Sequence, residues 1–404
     1  MFEREAKKII DEINNNFKIL LVTGPRQVGK TTLLLSLKPK NMEYVSLDDE
    51  VLRNQANKDP KLFLEEHPYP LLIDEAQYAP NLFTYLKMKV DEVEEYGMYW
   101  LTGSQQFHLM KKASESLAGR VGIINLNSFT YSEIKQNTNK TLFDPTDLKK
   151  APPIEANELY EIIYKGGMPE LYKNKNLKRE LYFQSYIDTY ISRDVREITE
   201  IGNLEAFKKF IVSVASRTGE QLNYTALALD AGVTVPTSKA WLSILVSSGL
   251  VYLLEPYLSS ELKRLTHIPK IIFMDTGLAC FLAGWESAKE LQLSSNAGHY
   301  LETFIISEII KSYNARGIKP NISYYRDKEK NEIDLILYKN NTLYPFEIKK
   351  TASPNKTMIK NFEKLNQSKK NIGTGGIICF YDKLLKLDEK NYIIPISSVI
   401  NISK

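Results

Sequence analysis

Three groups of residues have types and spacings that could do chemistry. The first is G-x-x-x-x-G-K-T within "FKILLVTGPRQVGKTTLLLSL". Gly24 and Gly29 let the backbone of Pro25, Arg26, Gln27 and Val28 wrap close to phosphates, Lys30 reaches the terminal phosphates, and Thr31 offers a hydroxyl to magnesium. Thr32 closes the loop and reads as a helix residue rather than a ligand. The second group is Asp74-Glu75, which ends the apolar run "YPLLIDEAQ". Asp74 would hold magnesium through water and Glu75 would orient and deprotonate the attacking water of a nucleotide hydrolysis. The third lies in "EIDLILYKNNTLYPFEIKK", where Asp334 is followed by Glu347 and Lys349, with Glu302 on a preceding helix. The three carboxylates would hold one or two magnesium ions, with manganese as the alternative, and Lys349 would activate water or stabilise charge at a phosphate.

Each group has a plainer reading. A phosphate loop can arise by chance in a glycine-containing turn, an acidic pair can be an ordinary strand exit, and charged residues alternating with apolar ones are what any half-buried strand shows. Context decides between them. The phosphate loop follows an apolar, strand-like run and leads into a Leu-rich helical pattern. The run "MYWLTGSQQF" reads as a further strand ending in polar groups at the edge where a doubly wound sheet binds its ligand. Ser104 is the candidate sensor of the γ-phosphate, Thr102 and Gln105 are near substitutes, and a simple turn is the competing reading. "MEYVSLDDE" is another strand, its Asp48 and Asp49 either near the site or capping the next helix. Hydrolysis also calls for a cation on the transferring phosphate, from the same or a neighbouring subunit. Arg120 and Arg193 are the candidates, and each could equally be a surface ion pair.

In the middle, "NTNKTLFDPTDLKKAPPIEAN" reads as a boundary or surface loop, and Arg179 to Arg217 as a helical connector. "LNYTALALDAGVTVPTSKAWLSILVSSGLVYLLEPY" has the order helix, turn at Gly232, helix, strand pair, which suggests a winged helix. Residues 196 to 265 carry seven Lys or Arg and seven Asp or Glu, so a structural or protein-contacting role is favoured there over base readout. Further on, "GHYLETFIISEIIKSYNARG" reads as an amphipathic helix carrying Glu302, followed by a three-strand meander. If its last two strands pair around Asn340-Asn341, Asp334 approaches Glu347 and Lys349, whose two-residue spacing puts them on one face.

The order "GPRQVGKTTLL", "VSLDD", "LLIDEAQ", "LTGSQQF", "SLAGR", "GGMPE", "YIDTYISRDV" and a late "EID…EIK" resembles a prokaryotic family in which an AAA-type ATPase domain precedes a domain of unknown function numbered 4143. The resemblance spans nearly the whole chain. It implies an ATP-binding α/β multidomain protein: a P-loop AAA-type ATPase with a parallel sheet, a helical and winged-helix-like middle, and a restriction-endonuclease-like α/β C-terminus. The corresponding divisions are residues 1–150, 151–265 and 266–404. Asp334, Glu347 and Lys349 match the PD-(D/E)XK nuclease pattern, with Glu302 in its helical acidic position. The proline usual before the first acid is absent, since "NEIDL" stands there.

Composition narrows the classes further. A chain of 404 residues, 43% hydrophobic, can bury substantial cores in roughly two to four domains. Two cysteines and four histidines offer neither a zinc set nor a disulfide framework, which fits a reducing cytoplasm. No signal-like apolar region opens the chain and no run approaches the length of a membrane span, so no membrane partner is expected. Net charge is +4, but residues 266 to 404 hold 20 Lys or Arg against 14 Asp or Glu while the rest sums to −2. An anionic partner therefore belongs at the C-terminal third, with a solvated basic surface as the bland alternative. The expected function is an ATP-hydrolysing, DNA-associated protein with a metal-dependent nuclease domain and the option of homo-oligomers. The alternative is a regulatory NTPase that switches a protein partner, its nuclease-like fold a scaffold.

Overall fold

The structure is a computed structural model and describes residues 2–103, 116–137, 142–190, 203–257 and 267–400. The chain divides into two compact units. The first comprises Met1–Ser128, Ser247–Gly249 and Tyr313–Ile318, and the second Phe129–Val246, Leu250–Ser312 and Lys319–Lys404.

The first unit is built on five strands: β1 (Ile19–Thr23), β2 (Glu43–Ser46), β3 (Leu71–Asp74), β4 (Tyr99–Gly103) and β5 (Val121–Asn125). They lie in the order β2-β3-β4-β1-β5 and every pairing is parallel. Parallel strands covered on both faces need apolar side chains in both directions, which is why "ILLVT" is continuous rather than alternating and is buried throughout. Ile19, Leu21, Ile73 and Leu101 pack with Phe63, Phe83 and Leu86 on one face. Leu20, Val22, Leu72 and Trp100 pack on the other with Ile10 and Ile13 of the helix Lys7–Asn16 and with Leu33 and Leu34 of the helix Lys30–Leu37. Each such side chain contributes about 1.5–3 kcal/mol on burial.

This topology selects where a ligand can go. From β1 the chain moves out to β2 at one edge and works back to β4, then crosses β1 to form β5 at the other edge. The order therefore switches at β1, and the crevice beyond its C-terminal end is where an open parallel sheet binds ligands. Of the two readings of Asp49, the structure adopts the cap: its carboxylate accepts from the amides of Val51 (2.8 Å) and Leu52 (3.2 Å) at the start of the helix Glu50–Lys58.

The second unit begins with helices, among them Ala156–Lys165, Arg179–Tyr190 and Leu204–Ser216. Tyr224–Ala231, ended by the left-handed Gly232, then leads to Val235–Ser247. The antiparallel pair β6 (Val251–Leu254) and β7 (Lys270–Phe273) comes next. After the helix Ala297–Asn314 comes a mixed sheet of β8 (Ile322–Arg326), β9 (Glu332–Lys339), β10 (Thr342–Ile348), β11 (Asn371–Ile372), β12 (Gly375–Cys379), β13 (Leu385–Lys386) and β14 (Asn391–Pro395). β8, β9 and β10 form an antiparallel meander, and β10 then pairs in parallel with β12. The β9–β10 turn is Asn340-Asn341, both at positive φ (49° and 58°), the geometry of a two-residue type I′ hairpin.

The helix Ala297–Asn314 departs from the expected amphipathic pattern. It is buried on nearly every side, Glu302, Glu308 and Lys311 included. Internal pairing makes this tolerable. Glu302 meets Lys270, while Lys311 lies 3.6 Å from Glu308, whose other oxygen accepts the Tyr131 amide at 2.7 Å.

Candidate functional site

The loop between β1 and the helix Lys30–Leu37 folds tightly because of its glycines. Gly24 has φ 145°, and a Cβ there would lie 2.0 Å from the Leu126 carbonyl oxygen, while Gly29, at φ 89°, turns the chain into the helix. Lys30, the first helical residue, is buried, and its Nζ donates to the carbonyls of Gly24 (3.0 Å) and Pro25 (2.7 Å). Thr31 Oγ1 donates to Asp74 Oδ1 at 2.8 Å. That bond joins the loop to the end of β3.

Asp74 is oriented by three hydroxyls, those of Thr31, Thr102 and Tyr44. Each hydrogen bond to a charged group contributes about 1.5–3 kcal/mol. Burial and the charge of Asp74 push the Tyr44 phenol above its ordinary pKa. Glu75 follows in left-handed backbone geometry (φ 54°), its amide donating to Thr102 Oγ1 at 3.4 Å and its carboxylate accepting from Gln77. A non-glycine residue in that conformation carries strain, which is characteristic of functional turns. Val28 is wholly buried in the core beneath the loop, and Gln27 is a second left-handed residue at φ 59°.

Sequence reasoning passed over Arg4. Its guanidinium donates to the carbonyls of Val28 and Asn127, each at 2.7 Å, and braces the loop from behind. Arg4→Ala is expected to cost about 2–4 kcal/mol of stability, because two buried carbonyls lose a charged donor. Nucleotide affinity should fall about tenfold, or ~1.4 kcal/mol. Urea unfolding and titration with a fluorescent ATP analogue measure the two, and wild-type affinity would show that the loop does not depend on Arg4.

Arg120 stands at the start of β5, where its carbonyl accepts from the amide of Ile19 at the start of β1. It is thus at the edge of the sheet away from the phosphate loop, and its guanidinium pairs with Asp91, Nη2 to Oδ2 at 2.9 Å. Ser104, Gln105 and Arg193 lie outside the described residues.

The second cluster forms in the other unit, at the open end of the β9–β10 hairpin. Phe346 pairs with Leu335, so the next residues outward are Glu347 and Asp334. Asp334 Oδ2 accepts from the Ile348 amide at 2.8 Å and from Lys349 Nζ at 2.9 Å, and Lys349 also meets Glu347 Oε2 at 2.5 Å. Oxygen atoms of Glu302, Glu332 and Asp334 lie within 4.8 Å of one another. Glu332 had gone unassigned, although its position two residues before Asp334 on one strand face was a usable signal. Lys270 was also missed. Its buried Nζ lies 2.6 Å from Glu302 Oε1 and 2.5 Å from Glu332 Oε1.

The electrostatics are those of crowded carboxylates. Burial and the charge of Asp334 push Glu347 up to about 9, and burial pushes Glu302 up to about 7 against the pull of Lys270. Burial works against ionisation of Asp334 too, but Lys349 and Lys270 outweigh it and hold it below the usual carboxylate range. Glu347 Oε1 is buried with no hydrogen-bond partner. Converging hard oxygen donors and an orphaned carboxylate oxygen fit a magnesium- or manganese-type cation.

Residues 16–135 match the family model of an AAA domain. Residues 156–289 and 297–399 match two domains of unknown function, numbered 8612 and 4143. Uncharacterized proteins of Mycobacterium tuberculosis and Mycobacterium bovis are each 28% identical over 354 residues, covering 87% of this chain and 74% of theirs. Among solved structures, the RuvB Holliday junction branch migration motor of Thermotoga maritima is 18% identical with a TM-score of 0.30, covering 61% of this chain and 88% of that one. The chain therefore carries an AAA-type P-loop ATPase domain, which supports ATP binding and hydrolysis, and a C-terminal domain of the 4143 kind. Among the described residues no helix is long and apolar enough to cross a membrane.

Proposed function

We propose that this chain is a magnesium-dependent ATP hydrolase that associates with DNA and bears a metal-dependent phosphodiester-cleaving site of PD-(D/E)XK type near its C-terminus. The observation that carries the ATPase half is the Thr31–Asp74 hydrogen bond at 2.8 Å, which couples the phosphate loop to the acidic end of β3. Lys30 turns from the Gly24 and Pro25 carbonyls to the terminal phosphates, and Glu75 takes a proton from the attacking water. Magnesium, when bound, supplies Lewis-acid stabilisation of the phosphoryl oxygens. At the second site Asp334, Glu347 and Glu302 hold the cation, and Lys349 supports the nucleophile and the charge on the scissile phosphate. We assign these roles to a three-part chain: P-loop AAA-type ATPase 1–150, helical connector and winged-helix-like domain 151–265, and PD-(D/E)XK nuclease-like domain 266–404.

Arg120, engaged with Asp91 at the far edge of its own sheet, can serve as a finger only for a neighbouring copy, and Arg193 is the other candidate. ATP turnover per chain is therefore expected to rise with protein concentration and to be stimulated several-fold by DNA. Steady-state rates across a dilution series, with and without duplex and branched DNA, test this. A monomer with concentration-independent turnover would rule out the shared site.

One observation favours a second reading. Lys270 and Lys349 already pair with all four carboxylates of the C-terminal cluster, as a purely structural network would. In that case the protein is a regulatory NTPase on a nuclease-like scaffold. Turnover indifferent to DNA, together with nucleotide-dependent capture of a protein partner, would support it.

A further inference from the structure

Lys270 lies outside the PD-(D/E)XK residues, yet it is the most deeply buried charge of the C-terminal cluster, 2% exposed. It opens β7, and its Nζ bridges Glu302 Oε1 and Glu332 Oε1 at 2.6 and 2.5 Å. Its ammonium also stands 5.2 Å from the centre of the Tyr324 ring. Arg326 pairs with the remaining oxygen of Glu332. Both oxygens of Glu332 are thus engaged by protein cations.

The other three carboxylates differ. Lys270 engages Oε1 of Glu302. Lys349 and the Ile348 amide engage Oδ2 of Asp334. Lys349 engages Oε2 of Glu347 and leaves Oε1, the buried atom with no partner. Among the described residues, the protein's own cations thereby divide four carboxylates into one paired through both oxygens and three paired through one oxygen each.

In two-metal phosphodiesterase sites a second ion about 3.5–4 Å from the first is clamped by carboxylates. An ammonium bridging the buried Glu302 and the half-buried Glu332 does the electrostatic work of such an ion. We infer that Lys270 is a fixed internal cation in the place of a second metal, so that the C-terminal site takes a single divalent ion on Glu302, Asp334 and Glu347, with Glu332 withheld. The inference rests on the metal-binding reading of this site. Charge supports it: with all groups ionised, four carboxylates face Lys270, Lys349 and Arg326, a net charge that one divalent ion reverses to a single positive charge suited to a phosphodiester.

The test counts Mn2+ bound to the nucleotide-free full-length protein, by calorimetric titration and by the EPR signal of free Mn2+. Wild type should bind one Mn2+ that Asp334→Asn loses. Lys270→Met, which keeps the length of the side chain and removes its charge, should bind a second. Because that variant risks unfolding, Glu332→Gln is measured beside it and should keep one ion with affinity within about threefold of wild type. Two ions on the wild type, an unchanged count in folded Lys270→Met, or loss of the ion in Glu332→Gln would each overturn the inference while leaving the metal site standing. No ion sensitive to Asp334→Asn would overturn the metal reading and the inference together.

Discussion

Lys30→Ala should abolish productive ATP binding, while Glu75→Gln should bind ATP at close to wild-type affinity and hydrolyse it about 10²–10⁴-fold more slowly. The separation follows from geometry. Lys30 sits inside the phosphate loop on the Gly24 and Pro25 carbonyls, whereas Glu75 follows β3, with its amide on Thr102 Oγ1 and its carboxylate accepting from Gln77. In the proposed role, removing the lysine deletes a charge that would meet the nucleotide in the ground state and the transition state alike. Glutamine keeps the shape of Glu75 and can still accept from Gln77, but it cannot accept the water's proton. Equilibrium binding of a fluorescent nucleotide and steady-state phosphate release separate the two effects. Normal turnover by Glu75→Gln would remove it from the base role.

At the C-terminal cluster, Asp334→Asn and Lys349→Ala should both reduce metal-dependent DNA cleavage at least 100-fold, for different reasons. Asparagine can still accept from the Ile348 amide but weakens cation binding, so Asp334→Asn should lose Mn2+ affinity by tenfold or more. Lys349→Ala leaves the three carboxylates with less positive charge beside them, so it should bind Mn2+ at least as tightly as wild type and still fail to cleave. Both should keep wild-type ATP turnover within about twofold, since Asp334 and Lys349 belong to the second compact unit and Lys30, Thr31, Asp74 and Glu75 to the first. A scaffold would behave otherwise: cleavage would be absent throughout, and Asp334→Asn would act only through stability, by about 1–3 kcal/mol.

Legibility in the sequence followed the range of the interactions. The phosphate loop could be read because strand, glycines, lysine and helix are consecutive, and the β9–β10 hairpin because Asn340-Asn341 states its own turn geometry. Arg4 could not, since what it binds are backbone carbonyls of Val28 and Asn127, which carry no side-chain signature and are distant along the chain. Lys270 and Glu332 meet only because β7 is packed beside the start of β9, a tertiary fact with no local pattern. The helix Ala297–Asn314 looked amphipathic because its charges suggested a solvated face. Those charges are buried and paired internally. Beyond Lys350, the short strands β11 to β14 pair with partners that are not their sequence neighbours, or span only two residues, and periodicity says little about either.

The most direct test of the account is a time course of cleavage on labelled single-stranded, duplex and branched DNA with Mg2+ or Mn2+, run with wild type and Asp334→Asn purified side by side and matched for ATP turnover. The account predicts that at least one DNA form is cut by wild type, that chelation stops the reaction, and that Asp334→Asn is slower by at least about 100-fold. If no form is cut, or if Asp334→Asn cuts as fast as wild type, the cluster of Glu302, Asp334, Glu347 and Lys349 is not a phosphodiesterase site.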